Sequence, residues 1–359
     1  MKKNILIIDD SALMRRVMSD IIESDDRFEV KDYARDGIEG LELITKNKDL
    51  YDAVILDINM PRMDGLEVLD RLQKLNIQMK IILVSTIAKE GANETIIALE
   101  KGVFDFVTKP ENYFEVKSEK FKNKLINTLL LATGIKSAKE SSLTQLNRIQ
   151  GKTRHTVKAG GKNNKLIAMV CSTGGPKSLK EVIPKIPENI DAPIVLVQHM
   201  PKGFTESLAN RLNELSKVNV KEAQDGDVLT KGTVYLAPGG RHMRVTSDKS
   251  GAYQIVLSDE PAVGGLRPCG DLMYESLCGT DFSEIVCVVM TGMGADGTKG
   301  IGQLCKTNNI HVISQDEATS VVYGMPRVVA EVGLSDEVVP LCKIADTITR
   351  NVGVLSDGR

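Results

Sequence analysis

Long hydrophobic runs are missing from this 359-residue sequence, and none approaches the roughly 18 residues needed to cross a bilayer. The short apolar stretch behind the N-terminus soon meets Asp9 and Asp10. A secretory signal peptide has a longer apolar region and a cleavage site of small residues. We therefore expect a cytoplasmic protein without direct membrane insertion.

Metal-binding patterns of cysteine and histidine are also missing. None of the six cysteines forms a C-x-x-C pair, and the four histidines are scattered without the spacing of metal ligands. We expect reduced, mostly buried thiols rather than a zinc site. The formal net charge of -2 gives no electrostatic reason to expect nucleic acid as a partner, because phosphate-binding surfaces are usually strongly basic.

What the first part of the sequence does contain is an alternation of short apolar runs with helical patterns. Such alternation is typical of a parallel sheet covered by helices on both faces. Strands are predicted at residues 4–8, 53–56, 81–84 and 104–107. Helices are predicted at residues 11–23, 65–75, 92–100 and 115–131.

The alternation stops near residue 134. Residues 134–161 are rich in Lys, Ser, Thr, Gly and Asn, with few large apolar side chains, which indicates an exposed linker with some helix at residues 142–149. The linker separates two predicted domains, residues 1–133 and residues 162–359. The second is predicted to be mostly parallel α/β with an antiparallel insertion, because several short strands follow one another in its middle.

The elements of the second domain follow from its apolar runs and helical periodicity. Strands are expected at residues 166–170, 194–197, 234–236, 242–245, 254–257, 285–290 and 311–313. Helices are expected at residues 178–185, 204–215, 272–277, 300–306 and 325–332.

An acidic cluster with a lysine is predicted in the first domain. Asp9 and Asp10 close one strand, Asp57 closes another, and Lys109 follows the fourth. The carboxyl ends of parallel strands share one edge of the sheet, where ligands bind. Converging carboxylates repel one another unless a cation such as Mg²⁺ neutralises them. Such a site can transfer a phosphoryl group to a carboxylate.

Residues 4–125 resemble the response-regulator receiver domain, which implies a doubly wound, flavodoxin-like parallel sheet. The resemblance rests on the acidic pair, on Ser85 after a strand, and on the motifs Asn59-Met60-Pro61, Asp64-Gly65 and Thr108-Lys109-Pro110. It implies that Asp57 takes the phosphoryl group, that Ser85 reports phosphorylation, and that Lys109 contacts the phosphate. It also implies a Mg²⁺ site made by Asp9, Asp10, Asp57 and the backbone carbonyl of Asn59.

A candidate nucleophile lies at the start of the second domain. An apolar run ends in Cys171-Ser172-Thr173-Gly174-Gly175-Pro176, before a helical pattern. A hydroxyl on a strand-to-helix turn with glycines behind it suits a nucleophile with an oxyanion hole. A glycine-rich turn that binds phosphate, and a nucleophilic Cys171, are the alternatives.

A serine nucleophile needs a base and an orienting carboxylate. Among the histidines, which also include His155, His242 and His311, His199 is best placed because it ends a predicted strand at the same edge as Ser172. Asp296 follows a buried strand through a glycine-rich loop. The other carboxylates considered are Asp225, Asp227, Asp271 and Asp316. Ser172, His199 and Asp296 thus form a predicted triad, defined by roles rather than chain order.

Residues 165–350 resemble the catalytic domain of the chemotaxis protein-glutamate methylesterases, the CheB type. The matching stretches are Ser172-Thr173-Gly174-Gly175-Pro176, Gln198-His199-Met200-Pro201, Gly203-Phe204-Thr205, the segment from Ala237 to Met243, the segment from Thr291 to Gly297, and the segment from Gln315 to Ser320. The family usually has Gly-Ala before its serine, where this chain has Val170-Cys171. It usually has Ser-Val before the aspartate at 271, where this chain has Cys269-Gly270.

The resemblance implies hydrolysis of glutamate γ-methyl esters on the cytoplasmic helices of chemoreceptors, with release of methanol. Backbone N–H groups near Thr173 or Met293 would stabilise the oxyanion, and the hydrolase site would need no cofactor. Deamidation of receptor glutamines is implied as a second activity of the same site. A chemotaxis histidine kinase would donate the phosphoryl group, and phosphorylation would activate the hydrolase.

Two alternative hypotheses assign the protein to a different functional class. Most receivers act on DNA-binding domains, but such a domain would be short and helical, whereas the second half here is rich in strands and glycine. A non-catalytic adaptor with the same fold is the other alternative, because Val170 and Cys171 depart from the family pattern.

Overall fold

The computed structural model describes residues 2–85, 89–110, 119–135 and 164–355, which form two compact units, one before and one after the gap at 136–163. The predicted helix at 142–149, His155, and the linker from residue 136 onward lie outside the described residues, as do the first four residues of the helix predicted at 115–131. Among the described residues, no helix is both long and apolar enough to cross a membrane.

The first unit contains a five-stranded parallel sheet in the order β2-β1-β3-β4-β5. Its strands are β1 Lys3–Ile8, β2 Phe28–Ala34, β3 Ala53–Asp57, β4 Ile81–Ser85 and β5 Asp105–Thr108. Its helices are α1 Ala12–Glu23, α2 Gly37–Lys46, α3 Gly65–Lys74, α4 Lys89–Glu100 and α5 Glu119–Ala132. The doubly wound fold is confirmed, with one strand and one helix, β2 and α2, that the sequence reasoning missed.

The second unit contains a seven-stranded parallel sheet in the order β14-β13-β12-β6-β7-β9-β8, and a separate antiparallel pair, β10-β11. The parallel strands are β6 Lys165–Cys171, β7 Ile194–Gln198, β8 Asn219–Glu222, β9 Thr233–Leu236, β12 Glu284–Val289, β13 Ile310–Gln315 and β14 Glu337–Val339. The antiparallel strands are β10 His242–Ser247 and β11 Tyr253–Ser258. The mostly parallel sheet and the antiparallel insertion are therefore confirmed.

Helices connect the strands of the second unit. They are α6 Gly175–Val182, α7 Phe204–Leu215, α8 Gly270–Glu275, α9 Thr298–Leu304, α10 Met325–Glu331 and α11 Leu341–Val352. Every residue of β7 is buried, as is every residue of β6 and β12 except the first, as expected for parallel strands with both faces covered.

The chain winds in two directions from the central strand β6. It passes first to β7 on one side and later to β12 on the other side. Ligands of doubly wound sheets bind at such a switch point, outside the carboxyl ends of the strands. Because Ser172 directly follows β6, the topology places it at this point.

Candidate active site and phospho-acceptor site

Three predicted site residues follow three adjacent strands of the second sheet. The last residues of β6 and β7, Cys171 and Gln198, are paired, so Ser172 and His199 are the next residues beyond them. Val170 pairs with the last residue of β12, and Asp296 lies in the loop that follows β12. The structure therefore brings all three to one edge of the sheet.

The turn that carries Ser172 is closely packed. The backbone N–H of Ser172 donates to the carbonyl of Thr291 (2.9 Å), and Gly174 adopts a φ of 78° that disfavours other residues. A Cβ on Gly292 would lie only 2.7 Å from the Cβ of Ser172. These contacts fix the backbone of the turn, while Ser172 itself remains half-buried. The hydroxyl is therefore held on a rigid turn that substrate can approach.

The His199 side chain is paired with the carboxylate of Asp296. The distance from Nε2 to Oδ2 is 2.7 Å, and the side chains are only 7% and 4% exposed. Because an ionised carboxylate only accepts hydrogen bonds, Nε2 carries the proton and Nδ1 keeps the lone pair that a general base needs. Burial alone would raise the pKa of Asp296, but the hydrogen bond and charge of His199 lower it to about 2.

The first turn of α8 holds the other side of the Asp296 carboxylate. The backbone N–H groups of Gly270 and Asp271 donate to it at 2.6 and 2.9 Å, and the thiol of Cys269 donates at 3.2 Å. Sequence reasoning left the role of this segment open, and the structure shows that it orients Asp296. The only sequence signal was its place at the start of a short helix, where backbone N–H groups are unpaired.

The two departures from the family pattern compensate each other in volume. A Cβ on Gly270 would lie 2.7 Å from Cγ2 of Val170, so a valine at position 270 would collide with the valine at position 170. The chain has the larger residue on the strand and glycine on the facing helix, the reverse of the family pattern. Glycine at position 270 therefore leaves room for the Val170 side chain.

The loop after β12 contacts the Ser172 turn directly. The Thr291 hydroxyl donates to the carbonyl of Thr173 at 2.9 Å. Met293 is the second residue after Thr291 and is half-buried, and its backbone N–H donates to no residue that the structure describes. Thr173 thus lies on the Ser172 turn, and Met293 lies on the loop that contacts this turn.

Cys171 is a poor candidate for the nucleophile. Its side chain is fully buried, its Sγ lies 2.9 Å from Oε1 of Gln198, and burial raises the pKa of the thiol far above its ordinary value. Because only the thiolate is a good nucleophile, the structure favours Ser172 over Cys171.

The alternative histidines and carboxylates have other partners. His242 is fully buried with Nε2 3.1 Å from the carbonyl of Pro261, and His311 lies near the amino end of β13, paired with Glu337 at 2.9 Å. The carboxylates bind as follows: Asp225 accepts from the Leu257 N–H, Asp227 pairs with Lys221, and Asp316 accepts from the Thr319 N–H.

We expect Asp296→Asn to lower kcat by roughly 10³- to 10⁴-fold, because the amide leaves His199 without its charged partner.

The effect of Asp296→Asn on stability should depend on pH. The Asp296 pKa is about 2, against an ordinary value of 3.8, so its charge stabilises the fold above about pH 4 and that contribution is lost as pH falls toward 2. Calorimetry of wild type and variant should show a Tm difference that shrinks between pH 4 and pH 2.5. A Tm difference independent of pH would contradict this.

The second candidate site lies at the carboxyl edge of the first sheet. Asp9 follows β1, Asp57 ends β3 and Lys109 follows β5, with Nζ of Lys109 2.6 Å from Asp57 and 3.0 Å from Asp9. Burial, with the charge of Asp9, raises the pKa of Asp57 to about 6, although Lys109 opposes the rise. The predicted acidic cluster with its lysine is therefore assembled.

The residues around Asp57 fit a Mg²⁺ ion. Carboxylate oxygens of Asp9, Asp10 and Asp57 lie within 4.8 Å of one another, and the buried Oδ2 of Asp9 has only the ion pair with Nζ of Lys109, at 3.0 Å, among the contacts of the described residues. Mg²⁺ prefers oxygen ligands of this kind. Asn59 lies in the loop just after β3, where its carbonyl could complete the set.

Ser85, the last residue of β4, is connected to helix α4. Its hydroxyl accepts a hydrogen bond from the Thr95 hydroxyl at 2.8 Å and lies 3.4 Å from the carbonyl of Gly91. Val84, the residue before it, pairs with Asp57. Ser85 is thus one residue beyond the strand position next to Asp57.

The acidic cluster at the edge of the first sheet and the Ser-His-Asp arrangement at the edge of the second are typical of a response regulator whose output unit is an α/β enzyme. A family model described as CheB methylesterase matches residues 167–348, and one described as response regulator receiver domain matches residues 5–119. The chain belongs to the CheB methylesterase family.

Known relatives match nearly the whole chain. The protein-glutamate methylesterase/protein-glutamine glutaminase of Pyrococcus abyssi is 42% identical over 99% of this chain and 95% of its own length. The protein of the same description from Bacillus subtilis is 37% identical over 96% of this chain and 97% of its own. The crystal structure of the Thermotoga maritima CheB methylesterase catalytic domain is 40% identical, with a TM-score of 0.51, over 53% of this chain and all of that domain.

Proposed function

We propose that this protein hydrolyses glutamate γ-methyl esters on chemoreceptors and deamidates receptor glutamines, and that phosphorylation activates it. The observation that carries the proposal is the buried pairing of His199 with Asp296 at 2.7 Å, on the strand end next to Ser172. The near full-length similarity to proteins described as protein-glutamate methylesterase/protein-glutamine glutaminase supports the substrate class.

The chemistry follows from the arrangement of the side chains. Ser172 Oγ attacks the ester carbonyl while Nδ1 of His199 takes the hydroxyl proton. The charge of Asp296 stabilises the imidazolium that forms. The backbone N–H groups of Thr173 and Met293 stabilise the oxyanion. His199 then gives the proton to the leaving methanol, and water hydrolyses the acyl-enzyme by the same route. A glutamine side chain presents the same carbonyl and releases ammonia instead.

The first unit supplies regulation. Asp57 accepts the phosphoryl group, Lys109 contacts its oxygens, and Ser85 leaves its hydrogen bond with Thr95 to reach them. A Mg²⁺ ion bound by Asp9, Asp10, Asp57 and the Asn59 carbonyl would offset the negative charge of these oxygens. A chemotaxis histidine kinase is the proposed phosphoryl donor, and the cytoplasm, where the receptor helices lie, is the proposed location.

Asp57→Asn is expected to keep the basal hydrolysis rate but to lose stimulation by a phosphoryl donor with Mg²⁺. Allosteric couplings of this kind typically change activity by about 5- to 150-fold. Methanol release by the full-length protein with and without acetyl phosphate measures the stimulation. Asp52→Asn is the matched control, because Asp52 pairs with Lys3 and is not one of the acids around Lys109. Equal stimulation of wild type and Asp57→Asn would contradict the assignment of Asp57.

A further inference from the structure

The buried side chain of Gln198 connects the strand ends that carry Ser172 and His199. It is 2% exposed, and its Nε2 donates to the carbonyl of Ser172 at 3.0 Å and to the carbonyl of His199 at 3.3 Å. Its Oε1 accepts from the thiol of Cys171 at 2.9 Å. One amide therefore forms hydrogen bonds with three residues, Cys171, Ser172 and His199, around the nucleophile and the base.

The orientation of this amide is fixed by its surroundings. If the amide flipped, Oε1 would face two carbonyl oxygens and Nε2 would face the thiol, so the Ser172 and His199 carbonyls would lose their donor. The amide also occupies the space beside Gly175, where a Cβ would come within 1.9 Å of Oε1. The amide thus has one favourable orientation.

The bond from Gln198 to the Ser172 carbonyl fixes the direction of the next N–H group. The Ser172 carbonyl and the Thr173 N–H belong to one planar trans peptide unit, so they point in opposite directions. The Ser172 carbonyl also accepts from the Gly175 N–H at 2.7 Å, which fills its second acceptor site. With the carbonyl held by two donors, the plane cannot rotate freely, and the Thr173 N–H is held on the side away from Gln198.

We propose that Gln198 is a positioning residue that orients the Thr173 N–H for oxyanion stabilisation. The inference rests on the proposed function and adds to it a residue that does not contact substrate. Because negative charge develops on the carbonyl oxygen only in the transition state, a misdirected N–H should lower kcat and leave KM nearly unchanged.

The first test is Gln198→Met in the full-length protein, which keeps the volume but removes all three hydrogen bonds of the amide. We expect kcat for methanol release from a methylated receptor fragment to fall by about 10- to 100-fold, with KM changed less than about threefold. The end point of Ser172 labelling by a fluorophosphonate counts the competent sites, so kcat is expressed per labelled site. An unchanged kcat per labelled site would overturn the proposal, because Gln198 would then only support the fold.

The second test uses Gly175→Ala, which pushes the amide away by its Cβ and gives a readout even if Gln198→Met folds poorly. Gly175→Ala alone should lower kcat by a similar factor. In a protein that already carries Gln198→Ala, the space beside residue 175 is vacant. Adding Gly175→Ala to that variant should therefore cause no further loss of kcat. Losses that multiply in the double variant would contradict the proposal.

Cys171→Ala is the comparison variant, because it removes the thiol that binds Oε1 but leaves the bond from Nε2 to Ser172. Its kcat should fall less than about threefold, and a loss as large as that of Gln198→Met would contradict the role given to Nε2. Failure of the proposed function is distinguishable from failure of this inference, since wild type would then release no methanol and the variants could not differ.

Discussion

Ser172→Ala is expected to lower kcat for methanol release from methylated receptor by roughly 10⁴- to 10⁶-fold, while the Tm stays close to that of wild type. Removal of a serine nucleophile from a triad elsewhere has an effect of this size, because the remaining side chains cannot form the acyl-enzyme. Ser172 is half-buried at the switch point of the sheet, so the loss of one hydroxyl there should cost little stability.

Cys171→Ala is the matched control for this variant, because it changes the adjacent residue on the same strand. The buried thiol bonded to Gln198 is expected to be dispensable for acylation. If Ser172→Ala kept wild-type turnover and Cys171→Ala lost it, the nucleophile would be the cysteine and the proposed mechanism would be wrong.

His199→Gln is expected to lower kcat by a similar factor, because no other described histidine is paired with Asp296. The kcat of His199→Gln for methanol release, compared with that of wild type on the same receptor fragment, measures this loss.

The control for His199→Gln is His242→Gln. Glutamine can keep a donor toward the Pro261 carbonyl, which lies 3.1 Å from the His242 ring, so the fold around it should survive. His242→Gln should keep most of the activity. Loss of activity in His242→Gln with a silent His199→Gln would reverse the assignment of the base.

The strands that sequence reasoning missed are all at the edges of sheets. They are β2, β8 and β14, and each contains partly or fully exposed residues instead of forming one buried apolar run. Central parallel strands are buried on both faces and therefore show continuous apolar runs that a sequence reveals. An edge strand has fewer neighbours, so its composition resembles that of a loop.

Helix α2 was missed for a different reason. It contains Gly37 and Gly40, which lower helix propensity. The structure explains both: a Cβ on Gly37 would lie 2.6 Å from the carbonyl oxygen of Met63, and one on Gly40 would lie 2.5 Å from Cδ1 of Ile8. Close packing of this helix against the rest of the unit overrides its weak propensity, and such packing cannot be predicted from the local sequence.

Much of the candidate site could be predicted because each of its main residues either directly follows a strand or lies in the loop after one. Ser172, His199 and Asp296 were chosen by their place at strand ends, and the structure brings them to one edge. What could not be predicted are contacts between residues distant in sequence. The binding of Asp296 by the first turn of α8 and the complementary volumes of Val170 and Gly270 appear only when β6 and α8 are seen together.

The most direct test of the proposed function is the release of methanol by the full-length wild-type protein from a receptor fragment methylated on its glutamates. We expect one methanol for each ester lost, a rate that rises when acetyl phosphate and Mg²⁺ are added, and no release by Ser172→Ala. Loss of esters without methanol, or release of methanol that continues unchanged in Ser172→Ala, would contradict a serine hydrolase built on Ser172, His199 and Asp296.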